Sequence, residues 1–450
     1  MNKLTARCVG LAMLACMAFC CLPARAADLL AWNTNQNRVT ADIKSIELSS
    51  VLSRVSKATG WKVYLEPGIT QKVSTRFKDL PSAEALRLLL ADVNFALVPQ
   101  TNAPSRLYVF RTGMREATSL VHAERGKIIP NELIVRVKPG TDVEALARHL
   151  GGKVKGKIDN LNAYRLQFES PEAAEAAREK LASEPEVASV ENNYEIDRAP
   201  DLRSNGGTAS APLSLQLKPP PANGRIVVGI IDTAVQPLGR EFDKFLLPSI
   251  SVAGQPQLDP SSPSHGTSMV ETFFNGLQAA TQGSTSVQVL SVDVYGPNTS
   301  TSTFDVAMGI IQARNRGANV INLSLGSAAD SPVLFDVISA VARENVPIFA
   351  AAGNEPTTTP FYPAAYPGVM AVTALDHGEL ASYANRGSFV SVAAPGTSMV
   401  YFDNRPWYVV GTSAASAYTA GLAAGRMETT GSSSQAVQDF LRQRMGFGGK

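Results

Sequence analysis

Three residues that are far apart in the sequence have the side chains needed for nucleophilic acyl transfer. They are Asp232, His265 and Ser413, which stand in the short sequences DTA, HGT and GTSAA. A serine hydroxyl attacks a carbonyl carbon only when a base takes its proton, and an imidazole held in one tautomer by a carboxylate is such a base. The order Asp, His, Ser is one of the orders in which these triads occur. The three segments therefore predict a Ser-His-Asp triad.

Each of the three residues, taken alone, also has an ordinary structural explanation. Asp232 follows the apolar run 226–231, and an acidic residue after a strand is often only a turn or cap residue. His265 is one of four histidines and precedes a helix-like stretch, and a lone histidine is usually structural. Ser413 precedes an alanine-rich helix, where serine is commonly an N-cap. Only the combination favours catalysis.

A fourth segment extends the pattern, since the apolar run that ends in AAAGN places Asn354 after a predicted strand. The four segments together resemble the signatures of the subtilisin-like serine peptidases, and the resemblance covers about residues 223–445. It implies that the side chain of Asn354 and the backbone N–H of Ser413 bind the oxyanion, a role in which one donor contributes about 10²–10³ to turnover. It also implies that substrate pairs as an added strand with Ser324, Leu325 and Gly326, and that the pocket wall includes Ala352 and Gly353.

The mechanism implied by this resemblance is peptide hydrolysis through an acyl-enzyme. Ser413 attacks the carbonyl carbon, His265 takes the proton and passes it to the leaving amine, and Asp232 stabilises the imidazolium. The sequence therefore favours a serine endopeptidase. An esterase or acyl transferase that uses the same groups is a weaker alternative.

Departures from the family pattern occur beside all three predicted catalytic residues. Ala234 stands where the family usually has glycine, Val270 and Glu271 replace a small Ala-Gly pair, and the serine is followed by AASAY rather than by Met-Ala-Thr-Pro-His. None of these changes removes a catalytic atom. They motivate a second interpretation, a catalytically weak or inactive binding protein of the cell envelope that has a peptidase fold.

The region 223–450 alternates apolar runs with helical stretches, which predicts an α/β domain of the subtilisin-like, doubly wound type. Strands that are apolar on both faces and separated by helices indicate a parallel sheet covered on both sides. The predicted strands are 225–231, 287–292, 320–323, 347–350 and 369–372, and the predicted helices are 303–316 and 332–344. In such sheets, sites lie at the carboxyl ends of the strands.

Two small α+β regions are expected ahead of this domain. Residues 127–198 have a β-α-β-α-β pattern that resembles the subtilase pro-segment, which implies a folding aid and intramolecular inhibitor; a permanent accessory domain is the alternative. Residues 28–115 have a βαββαβ-like pattern, with the phrase FKDL at 77–80, that resembles the short N-terminal domain of secretins and TonB-dependent receptors. A generic α+β domain explains that pattern nearly as well.

The segment 199–222 reads as a linker because it combines Gly and Ser with a run of prolines. Exposed linkers are open to cleavage, so we expect self-processing between about residues 197 and 224. The chain would then be made as a zymogen.

Residues 1–26 are predicted to be a secretory signal. Lys3 and Arg7 precede an apolar run over residues 9–22, and Ala-Arg-Ala at 24–26 is a small-x-small cleavage site. All four cysteines lie within this segment, so the mature chain is expected to have no thiol, although Cys16 leaves a lipoprotein open as a minority alternative. We expect export to the periplasm or the extracellular space, with no transmembrane segment in the mature chain.

Charge and composition are those of an ordinary globular protein. The net charge of the 450 residues is +2, which argues against nucleic acid as a partner and leaves protein or peptide substrates. From residue 223 on, 12 Lys and Arg stand against 16 Asp and Glu (−4), and the remainder has 29 against 23 (+6), so the two parts should attract weakly. The family often binds calcium, which the resemblance implies as a cofactor, but no Asp/Asn cluster has the spacing of a calcium loop.

Overall fold

The computed structural model of the protein describes residues 28–101, 103–121, 126–198, 214–220, 224–239, 241–403 and 405–448. The predicted signal at 1–26 and most of the predicted linker at 199–222 lie outside these residues. Within the described ranges, every helix is too short or too polar to span a lipid bilayer.

Residues 28–121 form seven strands and two helices. The strands are β1 (Leu29–Asn33), β2 (Arg38–Glu47), β3 (Lys62–Leu65), β4 (Lys72–Pro81), β5 (Asn94–Val98), β6 (Arg106–Phe110) and β7 (Ser119–Leu120), and the helices are α1 (Leu48–Thr59) and α2 (Ser82–Leu89).

The backbone contacts divide the chain into two compact units, and residues 28–115 contribute to both of them. Of the described residues, the first unit comprises 28–61 and 69–94. Its antiparallel sheet has the order β1-β2-β4. Helix α1 buries Leu48, Val51, Leu52 and Val55, which recur at helical spacing, and it ends at Gly60, whose φ of 73° suits glycine.

The second unit contains residues 62–68 and the described residues from 95 onwards. Its first element is a four-stranded sheet of order β5-β6-β3-β7, in which β3 and β6 are parallel. Tyr64 of β3 is buried and stacks on Tyr108 of β6 with ring centroids 5.0 Å apart.

Residues 126–198 fold into an antiparallel sheet with two helices, in the order β-α-β-β-α-β, which adds one strand, β9, to the predicted β-α-β-α-β pattern. The elements are β8 (Lys127–Val137), α3 (Val143–His149), β9 (Lys153–Ile158), β10 (Ala163–Gln167), α4 (Pro171–Leu181) and β11 (Val187–Asp197). The strand order is β11-β8-β10-β9. Pro171 occupies the first turn of α4, and Ala177 and Leu181 of that helix pack with Leu133 and Val135 of β8 in a core of their own.

Residues 214–448 contain the remaining elements. The strands are β12 (Gln216–Leu217), β13 (Val227–Asp232), β14 (Ile250–Ser251), β15 (Ser284–Thr285), β16 (Gln288–Asp293), β17 (Ser300–Ser302), β18 (Val320–Leu323), β19 (Ile348–Ala351), β20 (Val369–Asp376), β21 (Glu379–Leu380), β22 (Val392–Pro395), β23 (Thr397–Phe402) and β24 (Arg405–Val410). The helices are α5 (His265–Thr281), α6 (Thr303–Asn315), α7 (Pro332–Arg343), α8 (Thr412–Thr430) and α9 (Ser434–Met445).

The main sheet has the order β14-β16-β13-β18-β19-β20-β21, with β22 also paired to β20, and it is parallel except at β21. Successive residues of its strands enter two different cores. In β19, for example, Phe349 packs with α5 and α8, whereas Ile348 and Ala350 pack with α6 and α7. Both faces are therefore covered by helices, and the predicted doubly wound α/β fold is confirmed.

Helices α5 and α8 run side by side in the same direction, with glycines at the points of contact. A Cβ atom at Gly276 would lie 2.1 Å from the carbonyl oxygen of Tyr418, and one at Gly421 would lie 2.2 Å from that of Phe273. Further along, Gly425 packs against Ala280. This register brings the first turns of the two helices to the same end of the sheet.

Candidate active site

Asp232 and His265 are paired at the carboxyl end of β13. Asp232 is the last residue of that strand and is 1% exposed. Nδ1 of His265 lies 2.8 Å from one carboxylate oxygen of Asp232 and 2.9 Å from the other. A carboxylate accepts hydrogen bonds, so Nδ1 carries the proton and Nε2 is the ring nitrogen left to accept one.

The imidazole is positioned by contacts between the loop after β13 and the first turn of α5. The N-cap residue of α5, Ser264, donates its hydroxyl proton to the carbonyl oxygen of Ala234 at 2.6 Å. The N–H of Gly266 donates to the hydroxyl of Thr233 at 2.8 Å, and a Cβ at Gly266 would lie 2.1 Å from the Thr233 carbonyl oxygen. Ala234 does not have a positive φ, so alanine in place of the family glycine causes no backbone strain.

Ser413 is the second residue of α8, and the N-cap is Gly411. Gly411 has a φ of 152°, and a Cβ there would lie 3.1 Å from Nδ2 of Asn354, so the turn requires glycine. Backbone N–H groups in a first turn have no acceptor within the helix, and the helix dipole is positive there. Because the cap position is taken by another residue, the N-cap explanation of Ser413 does not apply.

The hydroxyl of Ser413 donates to the carbonyl oxygen of Ser324 at 3.1 Å. Among the described residues, His265 is hydrogen-bonded through Nδ1 to Asp232, and no bond joins its ring to Ser413. Catalytic hydrogen bonds are often long or absent until substrate binds. The parallel register of α5 and α8 brings the two residues to the same end of the sheet.

Asn354 follows β19 and is held by the residue that precedes the serine. Its Oδ1 accepts the backbone N–H of Thr412 at 2.9 Å and the hydroxyl of Thr412 at 3.0 Å. That hydroxyl in turn accepts the N–H of Gly353 at 3.1 Å. Since the N–H of Thr412 requires an oxygen acceptor, the amide orientation is fixed, and Nδ2 is the atom that remains to donate.

A buried network of polar side chains joins β18 to the first turns of α8. Asn322 donates to the hydroxyl of Ser324 at 3.0 Å, and that hydroxyl donates to the carbonyl oxygen of Ser413 at 3.0 Å. Ser416 donates to Oδ1 of Asn322 at 2.8 Å. The predicted substrate-binding residues Ser324 and Leu325 are buried, as are Ala352 and Gly353 after β19, while Gly326 is partly exposed.

Sequence reasoning missed three residues of this site, Thr412, Asn322 and Ser416. Thr412 directly precedes Ser413 in the GTSAA sequence, so its hydroxyl next to the predicted nucleophile was the signal that could have identified it. Asn322 and Ser416 are 94 positions apart, and nothing local to either segment indicates their contact.

Glu271 is the most unusual departure from the family pattern, because it is a carboxylate buried on α5. Burial raises its pKa to about 7, and a hydrogen bond from the backbone N–H of Tyr401 opposes that shift. Tyr418, another departure, is partly buried, and burial raises the pKa of its phenol. Neither residue takes the place of a predicted catalytic atom.

The resemblance implies calcium, a cation that binds carboxylate, amide and backbone carbonyl oxygens. In the described parts of the chain, no three His, Cys, Asp or Glu residues come together as metal ligands would. We derive no step that involves a metal ion.

Comparison with known proteins gives consistent matches over most of the chain. Residues 223–445 match the Subtilase family, and residues 115–193 match the Fervidolysin N-terminal prodomain. The Thermophilic serine proteinase of Bacillus sp. (strain AK1) is 29% identical over 331 residues, which are 68% of this chain and 79% of the relative. Subtilisin Savinase of Lederbergia lenta is 31% identical over 188 residues, 39% of this chain and 70% of the relative.

Among solved structures, fervidolysin from Fervidobacterium pennivorans, a keratinolytic enzyme related to subtilisin, aligns with a TM-score of 0.56. The alignment covers 73% of this chain and 61% of that one, at 18% sequence identity. At this identity the likeness concerns the fold alone. These matches do not show the secretin/TonB-like interpretation of residues 28–115, which stays a prediction.

Proposed function

The chain belongs to the subtilase family of serine proteases, and we propose that it is a serine endopeptidase made as a zymogen. The observation that carries the proposal is the buried Asp232–His265 pair, with Ser413 in the first turn of the adjacent helix. No other site in the described residues combines a base, its orienting carboxylate and a hydroxyl in this way.

In the proposed mechanism, Ser413 loses its proton to Nε2 of His265 and attacks the carbonyl carbon of a peptide bond. Before this step, the hydroxyl must turn from the Ser324 carbonyl oxygen towards the imidazole. The oxyanion receives hydrogen bonds from Nδ2 of Asn354 and from the backbone N–H of Ser413. His265 then protonates the leaving amine, and water hydrolyses the acyl-enzyme by the same steps in reverse.

Contacts between residues 126–198 and the domain that follows support their role as an intramolecular inhibitor. Strand β11 extends onto β17, pairing Glu195 with Ser302 and Asp197 with Ser300. Oδ1 of Asn193 in β11 accepts a hydrogen bond of 3.2 Å from the N–H of Phe304, which lies in the first turn of α6.

Two ion pairs join the same surfaces. Arg165 pairs with Asp305 at 2.8 Å, and both side chains are mostly buried. Arg136 pairs with Asp336 of α7. These pairs agree with the weak attraction expected from the opposite net charges of the two parts.

Export, the processing step and the role of residues 28–115 are further parts of the proposal. A signal at residues 1–26 would send the chain to the periplasm or the extracellular space. We propose that residues 28–115 serve as an interaction module of the cell envelope, because of their resemblance to the short N-terminal domain of secretins. Protein or peptide substrates follow from the peptidase assignment.

The experiment that tests the proposed function compares the wild-type chain with Ser413→Ala. We expect the wild type to cleave casein and to shorten itself between about residues 197 and 224, as read by intact mass. The variant should remain full-length and inactive. Turnover of matched ester and amide substrates separates an endopeptidase from an esterase.

A binding protein with a peptidase fold is the second candidate, favoured by the departures beside the triad. It would leave casein intact with either chain and still bind peptides. If both chains stay full-length and neither cleaves casein, the endopeptidase proposal is wrong.

A further inference from the structure

Two chain segments flank the predicted nucleophile and define the space beside it. Strands β18 and β19 are parallel neighbours, with Leu323 opposite Ala350, so residues 324–326 and 352–354 leave the sheet side by side. The first turn of α8 contacts both segments, through the Ser413 hydroxyl on the Ser324 carbonyl oxygen and the Thr412 hydroxyl on the Gly353 N–H. The subtilase resemblance implies that these two segments bind the substrate and line its pocket, so we take the space between them as the place for the side chain of the residue before the cut.

The ring of Phe361 occupies the space between the glycines of these segments. A Cβ at Gly326 would lie 2.5 Å from Cε1 of Phe361, and a Cβ at Gly353 would lie 3.1 Å from its Cγ. One aromatic ring is thus in close contact with both walls. Because the two glycines have no side chains, the Phe361 ring is the group that limits the volume available to a substrate side chain there.

The backbone beside Phe361 is fixed. Ser327 and Tyr362 form an antiparallel bridge with two hydrogen bonds of 2.8 Å, one from each N–H to the other carbonyl oxygen. A ring attached next to this bridge cannot leave by movement of its backbone without breaking both bonds. Rotation of the side chain is the only other way, and the neighbouring Gly326 and Gly353 contacts restrict it.

We propose that Phe361 is a specificity-determining residue that limits the residue before the cut to small side chains such as Gly, Ala or Ser. The inference rests on the proposed peptidase function and names its substrate class. Well-packed interiors do not accept extra volume without displacing side chains, so a Leu or Phe at this position must push the ring aside. The side chain of Asn385 also lies beside Gly353, with Nδ2 2.7 Å from where a Cβ would stand, so the space left for a substrate side chain is small.

The test starts from the full-length chain, allows it to process itself, and uses peptides that differ only in the residue before the cut, Ala, Leu or Phe. Active sites are counted first by stoichiometric labelling with a fluorophosphonate. We expect the wild type to favour Ala over Phe by about tenfold or more in kcat/KM. Phe361→Ala should raise kcat/KM for the Phe peptide by about tenfold or more and change that for the Ala peptide much less. Phe335→Ala, which removes a partly exposed phenylalanine from α7, is the matched control and should leave the profile unchanged.

The outcomes separate this inference from the proposed function. A wild type that takes no label overturns both. A labelled wild type that cleaves the Phe or Leu peptide as well as the Ala peptide overturns the specificity inference alone, as does a labelled Phe361→Ala chain with the wild-type profile. If Phe361→Ala does not fold, Phe361→Leu and the wild-type preference decide the question. Leucine has no ring and less volume than phenylalanine, so Phe361→Leu should still raise kcat/KM for the Leu and Phe peptides relative to the Ala peptide.

Discussion

Replacing Glu191 should make attachment of the prodomain independent of pH. Oε1 of Glu191 in β11 accepts the backbone N–H of Val333 in the first turn of α7 at 3.0 Å, whereas Oε2 is buried without a hydrogen-bond partner. Burial raises the pKa of this carboxyl from 4.5 to about 7; the charge of Arg136 and the Val333 N–H oppose the shift, and Asp336 and Asp330 add to it.

The sign of the effect follows from proton linkage. A carboxyl whose pKa is higher in the attached state favours attachment most fully below its ordinary pKa of 4.5, and that contribution is lost as the pH rises through about 7. The shift corresponds to about 3 kcal/mol, at about 1.4 kcal/mol per pH unit. The side chain keeps some exposure, and the reference state is Glu191 in the detached prodomain rather than a free glutamate. We therefore expect about 1–3 kcal/mol, or about a 5–150-fold change in the opening equilibrium.

Hydrogen exchange at the Val333 amide measures this opening directly in the uncut Ser413→Ala chain. After correction for the intrinsic rate, protection should fall between about pH 5.5 and about pH 8.5. The fall should be absent when Glu191→Gln is added and retained with Glu186→Gln, the same change at an exposed position of the prodomain. An unchanged pH dependence in the Glu191→Gln chain, or protection that increases with pH, refutes the reasoning.

Three further substitutions test the site and the packing that supports it. Asp232→Asn should lower kcat by about 10⁴, because the imidazole would be held in the wrong tautomer, and a loss below about tenfold in steady-state kinetics contradicts the pairing. Asn354→Ala should lower kcat by about 10²–10³ with little change in KM, and an unchanged kcat excludes it as an oxyanion donor. Gly421→Ala should destabilise the folded chain by about 1–3 kcal/mol in denaturant unfolding, because its Cβ would lie 2.2 Å from the Phe273 carbonyl oxygen. Gly113→Ala, where a Cβ meets nothing within 4 Å, is the control, and equal effects of the two changes would contradict the packing argument.

The sequence predicted the elements of the peptidase domain well, because they depend on local patterns. The strand Val320–Leu323 was predicted with its observed bounds, and the helix predicted over 303–316 differs from α6 by a single residue. Both strand faces are apolar, and helices α6 and α7 each follow an N-cap serine, with proline at the start of α7; these are signals that a single segment contains. The residue types of the triad were likewise readable, since Asp232 ends a strand and His265 begins a helix.

What the sequence did not reveal depends on contacts between distant segments. The Asn322–Ser416 bond and the ring of Phe361 between two glycines involve residues that have no shared local pattern. Strand β2 was also missed, although Val39, Ala41 and Ile43 are buried at alternate positions, because the charged residues around them weaken the strand signal. The division of residues 28–115 between two compact units arises from tertiary contacts in the same way.

The central claim is that Ser413 is activated by the Asp232–His265 pair. Mapping the adduct of a fluorophosphonate by peptide mass spectrometry tests it most directly, because the reagent modifies a serine only when a base has activated it. The account predicts one adduct, on Ser413, that disappears in Ser413→Ala and is strongly slowed in His265→Ala. A chain that takes no adduct, or that labels equally well after either substitution, would contradict it.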